Sequence, residues 1–253
     1  MMEIKDALFE YCLRIGDNSL VLGHRVSEWC GHGPILEEDI ALTNIALDLV
    51  GQSRTLLTYA GAVEGKGRTE DDLAYLRQVV DYRNCLLAEQ ENGDFARTIV
   101  RQFLFDSYNT LFLEELQNSA DETLAAYAAK SLKEAAYHVR HSSEWMIRLG
   151  DGTAESKQRT QTALDELWMY SGELFEMDET EKTLQKANIA PDSKAIYEKW
   201  TANVSKILEM ATLQLPETGW MQTGGRTGKH SELLGYVLAE LQYVQRSYPN
   251  CEW

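Results

Sequence analysis

The sequence has little that breaks a helix and little that builds a strand. Its 253 residues include only four prolines, Pro34, Pro191, Pro216 and Pro249, each in a stretch that reads as a loop. Alternating Val, Ile and Thr, the mark of a half-buried strand, is nearly absent, which excludes a β-rich fold. There are four cysteines, Cys12, Cys30, Cys85 and Cys251, and no Cys-x-x-Cys pair. In a chain this long that excludes a disulfide framework and predicts free thiols in a reducing compartment, the cytoplasm. Positive charge is scarce. The 24 Lys and Arg stand against 40 Asp and Glu, a net charge of −16. A nucleic-acid binder needs a basic footprint, and so does a protein that docks on anionic lipid, so both classes are excluded. Solubility or a basic partner is the natural use of such charge. No run approaches the ~20 apolar residues of a membrane span. Glu3 and Asp6 stand where a signal peptide would carry basic residues.

What remains favours helix. Hydrophobic residues make up 44% and charged residues 25%, a globular composition that excludes a disordered tail. Long proline-free stretches rich in Ala, Leu, Glu, Gln and Arg predict an all-α protein. One helix is expected over Ile4 to Cys30, with Gly16-Asp17-Asn18 as its weak point. A second is expected from Glu37 to Gly61, opened by the acids Glu37, Glu38 and Asp39, which suit a helix N-terminus. A short helix follows near Glu70 to Val80. Asn92-Gly93-Asp94 introduces a long helix from Phe95 to about Gln117, and Asp121 opens another that ends at Gly150. Three more are expected over Ala154 to Glu176, Asp192 to Thr212 and Ser231 to Tyr248. Four long helices in the first 150 positions predict a bundle. The long connection over 62–93, between the second and third, fits the single crossover of ferritin-like bundles. The remaining helices would add to one side of a single domain over residues 1–253.

A ferritin-like bundle often holds two irons. Two of its helices each supply a Glu, and the other two each supply a Glu-x-x-His pair. Residues three apart share a helix side, so both can reach one metal pair. The second helix is apolar nearly all round and is expected to be buried. It carries Asn44, Asp48 and Gln52 at four-residue spacing. Asp48 can stand for the Glu of such a pair, but the position three further on is Gly51, which has no ligating side chain. This reads either as a damaged half-site or as a buried polar network in which Asn44 and Gln52 satisfy Asp48. On the fourth helix Glu134 precedes His138 by four residues, and the residue three before His138 is Ala135. Leu132, Ala136, Val139, Ser143 and Met146 define the expected core stripe there. On that wheel Ala135 occupies the inward slot, His138 lies on the flank, and Glu134 and His141 face away. Glu134 can simply pair with His138. Asp106, in an apolar run, is expected to be buried and so to need a partner. Glu28 is the candidate from the first helix. The fullest set, Glu28, Asp48, Asp106 and His138, has one imidazole where two irons need two, with Gly51 and Ala135 in required places. No metal, catalytic or cofactor-binding residue is therefore expected on this chain. The loop Gly224–His230 superficially resembles a phosphate loop, but Gly224 and Gly228 enclose three residues, not the four of a Walker A motif. It reads as a solvated connector or as a basic loop for an acidic partner or a phosphate. No Gly-x-Ser-x-Gly elbow is present.

Several long stretches carry a family resemblance. They are Leu13–Arg25, Ser27-Glu28-Trp29-Cys30-Gly31-His32-Gly33-Pro34, Leu36–Arg54, Glu89–Ala96, Lys133–Arg140, Thr223–His230 and Leu238–Arg246. Across nearly the whole chain the sequence resembles the family of the structural C component of bacterial ring 1,2-phenylacetyl-CoA epoxidase. The resemblance implies a ferritin-like fold and a place in phenylacetate catabolism. The enzyme it implies is a cytoplasmic multicomponent monooxygenase that epoxidises the ring of phenylacetyl-CoA with O2 and NADPH. It further implies a structural, non-catalytic subunit that pairs with a homologous di-iron catalytic subunit, with the irons on that partner and a separate flavin and iron–sulfur reductase. In that frame Asp48, Asp106 and His138 would be remnants of a former metal site, with Gly51 and Ala135 in lost ligand positions. The competing expectation is a self-sufficient di-iron oxidase or oxygenase with an unusual ligand set.

Overall fold

In a computed structural model the protein is described over residues 2–217, 219–249 and 251. In chain order the helices are α1 (Ile4–Ser27), α2 (Leu36–Glu64), α3 (Glu70–Tyr75), α4 (Phe95–Leu116), α5 (Glu122–Gly150), α6 (Ala154–Leu167), α7 (Glu179–Lys186), α8 (Ser193–Met210), α9 (Glu232–Leu241) and α10 (Tyr243–Ser247). Short 3-10 turns supplement them, and no strand occurs among the described residues. No described helix is long and apolar enough to cross a membrane. The chain forms two compact units. Unit 1 comprises Met1–Glu91, Glu179–Leu184 and Gly224–Trp253, and unit 2 comprises Asn92–Asp178 and Gln185–Thr223.

Unit 1 is built on the α1–α2 hairpin. The expected weak point at Gly16 does not break α1. A Cβ on Gly16 would lie 3.1 Å from a methyl of Leu57, and one on Gly23 would lie 3.2 Å from the Cβ of Leu49. As α1 ascends its α2 neighbours descend, so the pair is antiparallel. Each glycine costs a helix about 1 kcal/mol relative to alanine. Here that cost admits the second helix at close range, and packing offsets it. Gly65, at φ 73°, stops α2. A capping box between Thr69 and Asp72 starts α3, which ends at Tyr75 and is followed by a 3-10 turn at Val79–Asp81 rather than continuing to Val80. The last expected helix is interrupted at Gln242 into α9 and α10.

Unit 2 is built on α4 and α5. The Asp94 and Asp121 side chains cap them, accepting from the backbone N–H of Arg97 and Leu124 at 2.9 Å each. α4 is buried on almost every side, and α8 packs Trp200 into the core. Its indole Nε1–H donates to the Leu104 carbonyl at 3.2 Å, and its ring stacks on Trp168 at 5.4 Å. The expected helix to Glu176 ends as α6 at Leu167, and two 3-10 turns continue it to Phe175. α7, short and charged, was not expected from the sequence.

Candidate functional site

Unit 2 brings two of the sequence candidates together. Asp106 of α4 is buried, as its apolar surroundings predict. His138 of α5 is buried as well and interacts electrostatically with it. The Ser142 hydroxyl, one turn on, lies in hydrogen-bond reach of the Asp106 carboxyl and of the His138 carbonyl, the latter at 3.0 Å. The second carboxyl oxygen of Asp106 accepts no hydrogen bond. Burial pushes the Asp106 carboxyl up to about 6, against the opposing pull of His138 and the Ser142 hydrogen bond. The environment therefore holds a proton on Asp106 more tightly than water does.

The stripe that α5 turns inward is Ser131, Ala135, His138, Ser142 and Met146. It is displaced by about one residue from the stripe drawn from Leu132 and Val139. Large apolar residues mislead here, because small residues mark the line where α4 comes closest. The Thr110 hydroxyl of α4 reaches both its own helix, at the Asp106 carbonyl (2.9 Å), and the Ala135 carbonyl across the gap (3.3 Å). His138 is thus buried and not on the flank. Ala135 does lie on the buried stripe three residues before it, and presents a methyl group. Glu134 is only partly buried, beside the stripe.

Unit 1 places its candidates differently. The buried side of α2 includes Leu42, Ile45, Leu49, Gln52 and Leu56, with Glu38 buried in the first turn. Asp48 is half-buried, Asn44 is exposed, and Gly51 is exposed with nothing within 4 Å of where a Cβ would sit. The three polar residues do not form one buried row, and Gly51 faces outward. The expectation that α2 is buried all round is also corrected, because Leu36, Ile40, Leu47 and Val50 are exposed. Glu28 lies just beyond the end of α1, exposed, with one carboxyl oxygen 2.9 Å from the Arg25 guanidinium. It is not an inward-facing ligand.

Unit 1 also holds buried charges that sequence reasoning missed. Asp17, in the middle of α1, is buried against the fork of the Arg77 guanidinium and accepts from the Arg83 backbone N–H at 2.8 Å. Arg14 donates to both oxygens of Glu181, at 2.8 and 2.9 Å, and Arg226 reaches the same carboxylate. Glu89 collects the Asn84 side-chain amide (3.1 Å), the Ser231 backbone N–H (2.7 Å) and the His230 ring (3.0 Å). The other ring nitrogen of His230 faces the Tyr82 carbonyl at 3.0 Å. This corrects the reading of Gly224–His230 as a solvated connector. A Cβ on Gly225 would stand 2.3 Å from the Asn84 carbonyl oxygen, and one on Gly228 2.3 Å from that of Val80. The loop is pressed against residues 80–86, and its glycines are there for that approach.

As a metal holder, the α4–α5 contact of unit 2 offers one carboxylate, Asp106, and one imidazole, His138. Among the described residues no cluster of three or more His, Cys, Asp or Glu is placed to hold a metal ion. A di-iron centre takes four carboxylates and two imidazoles, and the residues present do not fit it.

Comparison with known proteins bears on the whole chain. Residues 1–253 match the family model described as phenylacetic acid catabolic protein. The sequence is 46% identical over 246 residues to the C component of the 1,2-phenylacetyl-CoA epoxidase of Escherichia coli (strain K12), covering 97% of this chain and 99% of that one. Among solved structures it is similar to a Synechococcus protein with aldehyde deformylating oxidase activity. The TM-score is 0.56 at 12% identity, over 84% of this chain and 95% of that one. At that identity the likeness concerns the fold alone, which is an all-α, ferritin-like helical bundle with additional C-terminal helices.

Proposed function

The chain belongs to the phenylacetic acid catabolic protein family, and from that premise we propose that it is a non-catalytic subunit of a 1,2-phenylacetyl-CoA epoxidase. In this reading it pairs in the cytoplasm with the di-iron catalytic subunit and stabilises it during aerobic phenylacetate degradation. The irons sit on the partner, and other subunits, including a reductase, complete the hetero-oligomer.

The observation that carries this reading is the inner face of α5. Three residues before the buried His138, where a bundle of this kind places a carboxylate, stands the methyl group of Ala135, close against α4. Asp106 is the one carboxylate that lies opposite, paired with the single imidazole of His138 where two irons need four carboxylates and two imidazoles. Along the middle of α2, from Ala41 to Gly61, the buried positions include Ile45, Leu49, Gln52 and Leu56 and no carboxylate or imidazole; the one buried carboxylate of the helix, Glu38, lies in its first turn. A bundle without ligands keeps its shape by packing and polar pairing. Its outer faces are then free to bury surface against a homologous bundle, as obligate interfaces do over about 2,000 Å2 or more.

The test is iron content, measured on the purified chain alone and after co-expression with the di-iron subunit. The expected result is iron near zero on the chain alone and about two irons per heterodimer. Two irons on the isolated chain would overturn the reading in favour of a self-sufficient oxidase.

A further inference from the structure

The outward face of α2 is apolar where a surface helix should be polar. Leu36 is 72% exposed, Leu47 65% and Ile40 52%, with Val50 and Ile35 also exposed. Residues 36, 40, 47 and 50 follow helical spacing and form one stripe about four turns long. Together these side chains offer on the order of 500 Å2, as large as the biggest apolar patch of an ordinary monomer. A stable interface takes about 800 Å2 from each partner, so the stripe would supply its apolar centre and the polar flanks the remainder. Gly51 lies on the same face and has open space around it, which leaves a hole in the ridge for a partner side chain. The flanks are acidic: exposed Glu37 and half-buried Asp48 on one side, half-buried Asp39 on the other.

We propose that this stripe is the docking surface for a helix of the di-iron subunit, which seats a bulky apolar side chain over Gly51 between Leu47 and Arg54 and flanks its own stripe with Lys or Arg. The proposal rests on the subunit role argued above and adds where and how the partner binds. Two features favour a foreign helix over a second copy of this chain. The flanks carry mainly negative charge, which a copy would meet with like charge, and the chain as a whole carries −16. The hole at Gly51 calls for a knob at one particular register, as helix packing by knobs into holes requires.

The experiment titrates this chain against the di-iron subunit of the same organism's epoxidase by calorimetry, with analytical ultracentrifugation of each variant alone. Leu47→Glu and Gly51→Trp alter only outward positions and should leave the fold intact, with Gly51→Trp melting no lower than the native chain because a mid-helix glycine is removed. The expected result is at least ~100-fold weaker binding for each, as for central hot-spot positions. Glu37→Lys should weaken binding by several-fold, with the loss shrinking at high salt. Tyr236→Glu, at an exposed site on α9, should bind like the native chain. If native chain and di-iron subunit bind tightly and Leu47→Glu and Gly51→Trp bind equally well, the docking surface is overturned and the subunit role stands. If the native chains do not bind at all, both fall. If the chain alone forms a dimer that Leu47→Glu dissolves, the stripe belongs to a second copy and the commitment to a foreign helix is overturned.

Discussion

Asp106 of unit 2 and the buried carboxylates at the clusters of unit 1 are treated in opposite ways. In unit 1 the buried carboxylates of Asp17, Glu181 and Glu89 are each met by a cation or a fan of donors. Asp17 has the Arg77 fork and a backbone N–H, Glu181 has Arg14 and Arg226, and Glu89 has an amide, a backbone N–H and an imidazole. These contacts fasten segments far apart in sequence, and their role is architectural. In unit 2 the buried Asp106 has a hydroxyl and a nearby imidazole, while its second oxygen accepts nothing. The lesson is that burial alone does not mark a site. A buried carboxylate with full partners is a rivet, and one without them is a cost that the fold carries.

The sharpest way to break this contrast is to make the same change in both units. Asp17→Asn removes the charge that faces Arg77 and leaves a buried guanidinium without its counter-charge. Losses of about 3–5 kcal/mol are typical when one partner of a buried pair is removed, and urea unfolding should show a destabilisation of that size. A loss below about 1 kcal/mol would mean that the Arg77 pair is not the rivet described. Asp106→Asn should move stability in the other direction. The folded state holds a proton on Asp106 more tightly than the unfolded chain does, so between pH 3.8 and about 6 the folded form carries the extra proton. Stability therefore falls as pH rises through that window and levels off above it. The span from 3.8 to about 6 is worth about 3 kcal/mol at most. The advantage of Asp106→Asn over the native chain should then grow from pH 4 to 6.5 and reach about 1–3 kcal/mol at pH 7. A variant less stable than the native chain at pH 7, or a difference independent of pH, would erase the distinction between the units. The smallest effect belongs to an exposed pair in unit 1. Arg54 and Glu70 are 3.3 Å apart with the arginine largely in solvent. Arg54→Ala should change stability by less than about 0.5 kcal/mol, which ties the rivet description to burial and not to pairing as such.

Local chemistry made the helix starts legible. Asp94, Asp121 and Asp192 cap α4, α5 and α8 within a residue of where the sequence puts them, because a cap is a contact between near neighbours. The burial of Asp106 was legible too, from the Phe and Leu residues around it. The inward line of α5 was not, since a wheel weighted by large side chains cannot register that Ser131, Ala135 and Ser142 are buried because they are small. Gly16 misled for a related reason. Its helix-weakening effect is intrinsic to the residue, whereas the close approach of α2 that compensates it comes from about forty residues further on. The clusters at Glu89 and Glu181 had no local signal at all, for their partners include residues more than a hundred positions away.

That separation sets an order of events during synthesis. Asp17 finds Arg77 after 60 further residues, but Glu89 must wait for His230, 141 residues later, and Arg14 must wait 167 residues for Glu181. At 5–20 residues per second the ribosome takes roughly 7–30 s to deliver His230 after Glu89. All of unit 2 lies between residues 92 and 223, so its segments emerge before the last piece of unit 1. The first unit begun is the last one finished. Until the C-terminal loop arrives, Glu89 lacks two of its donors, and the seat on residues 80–86 stays open to water.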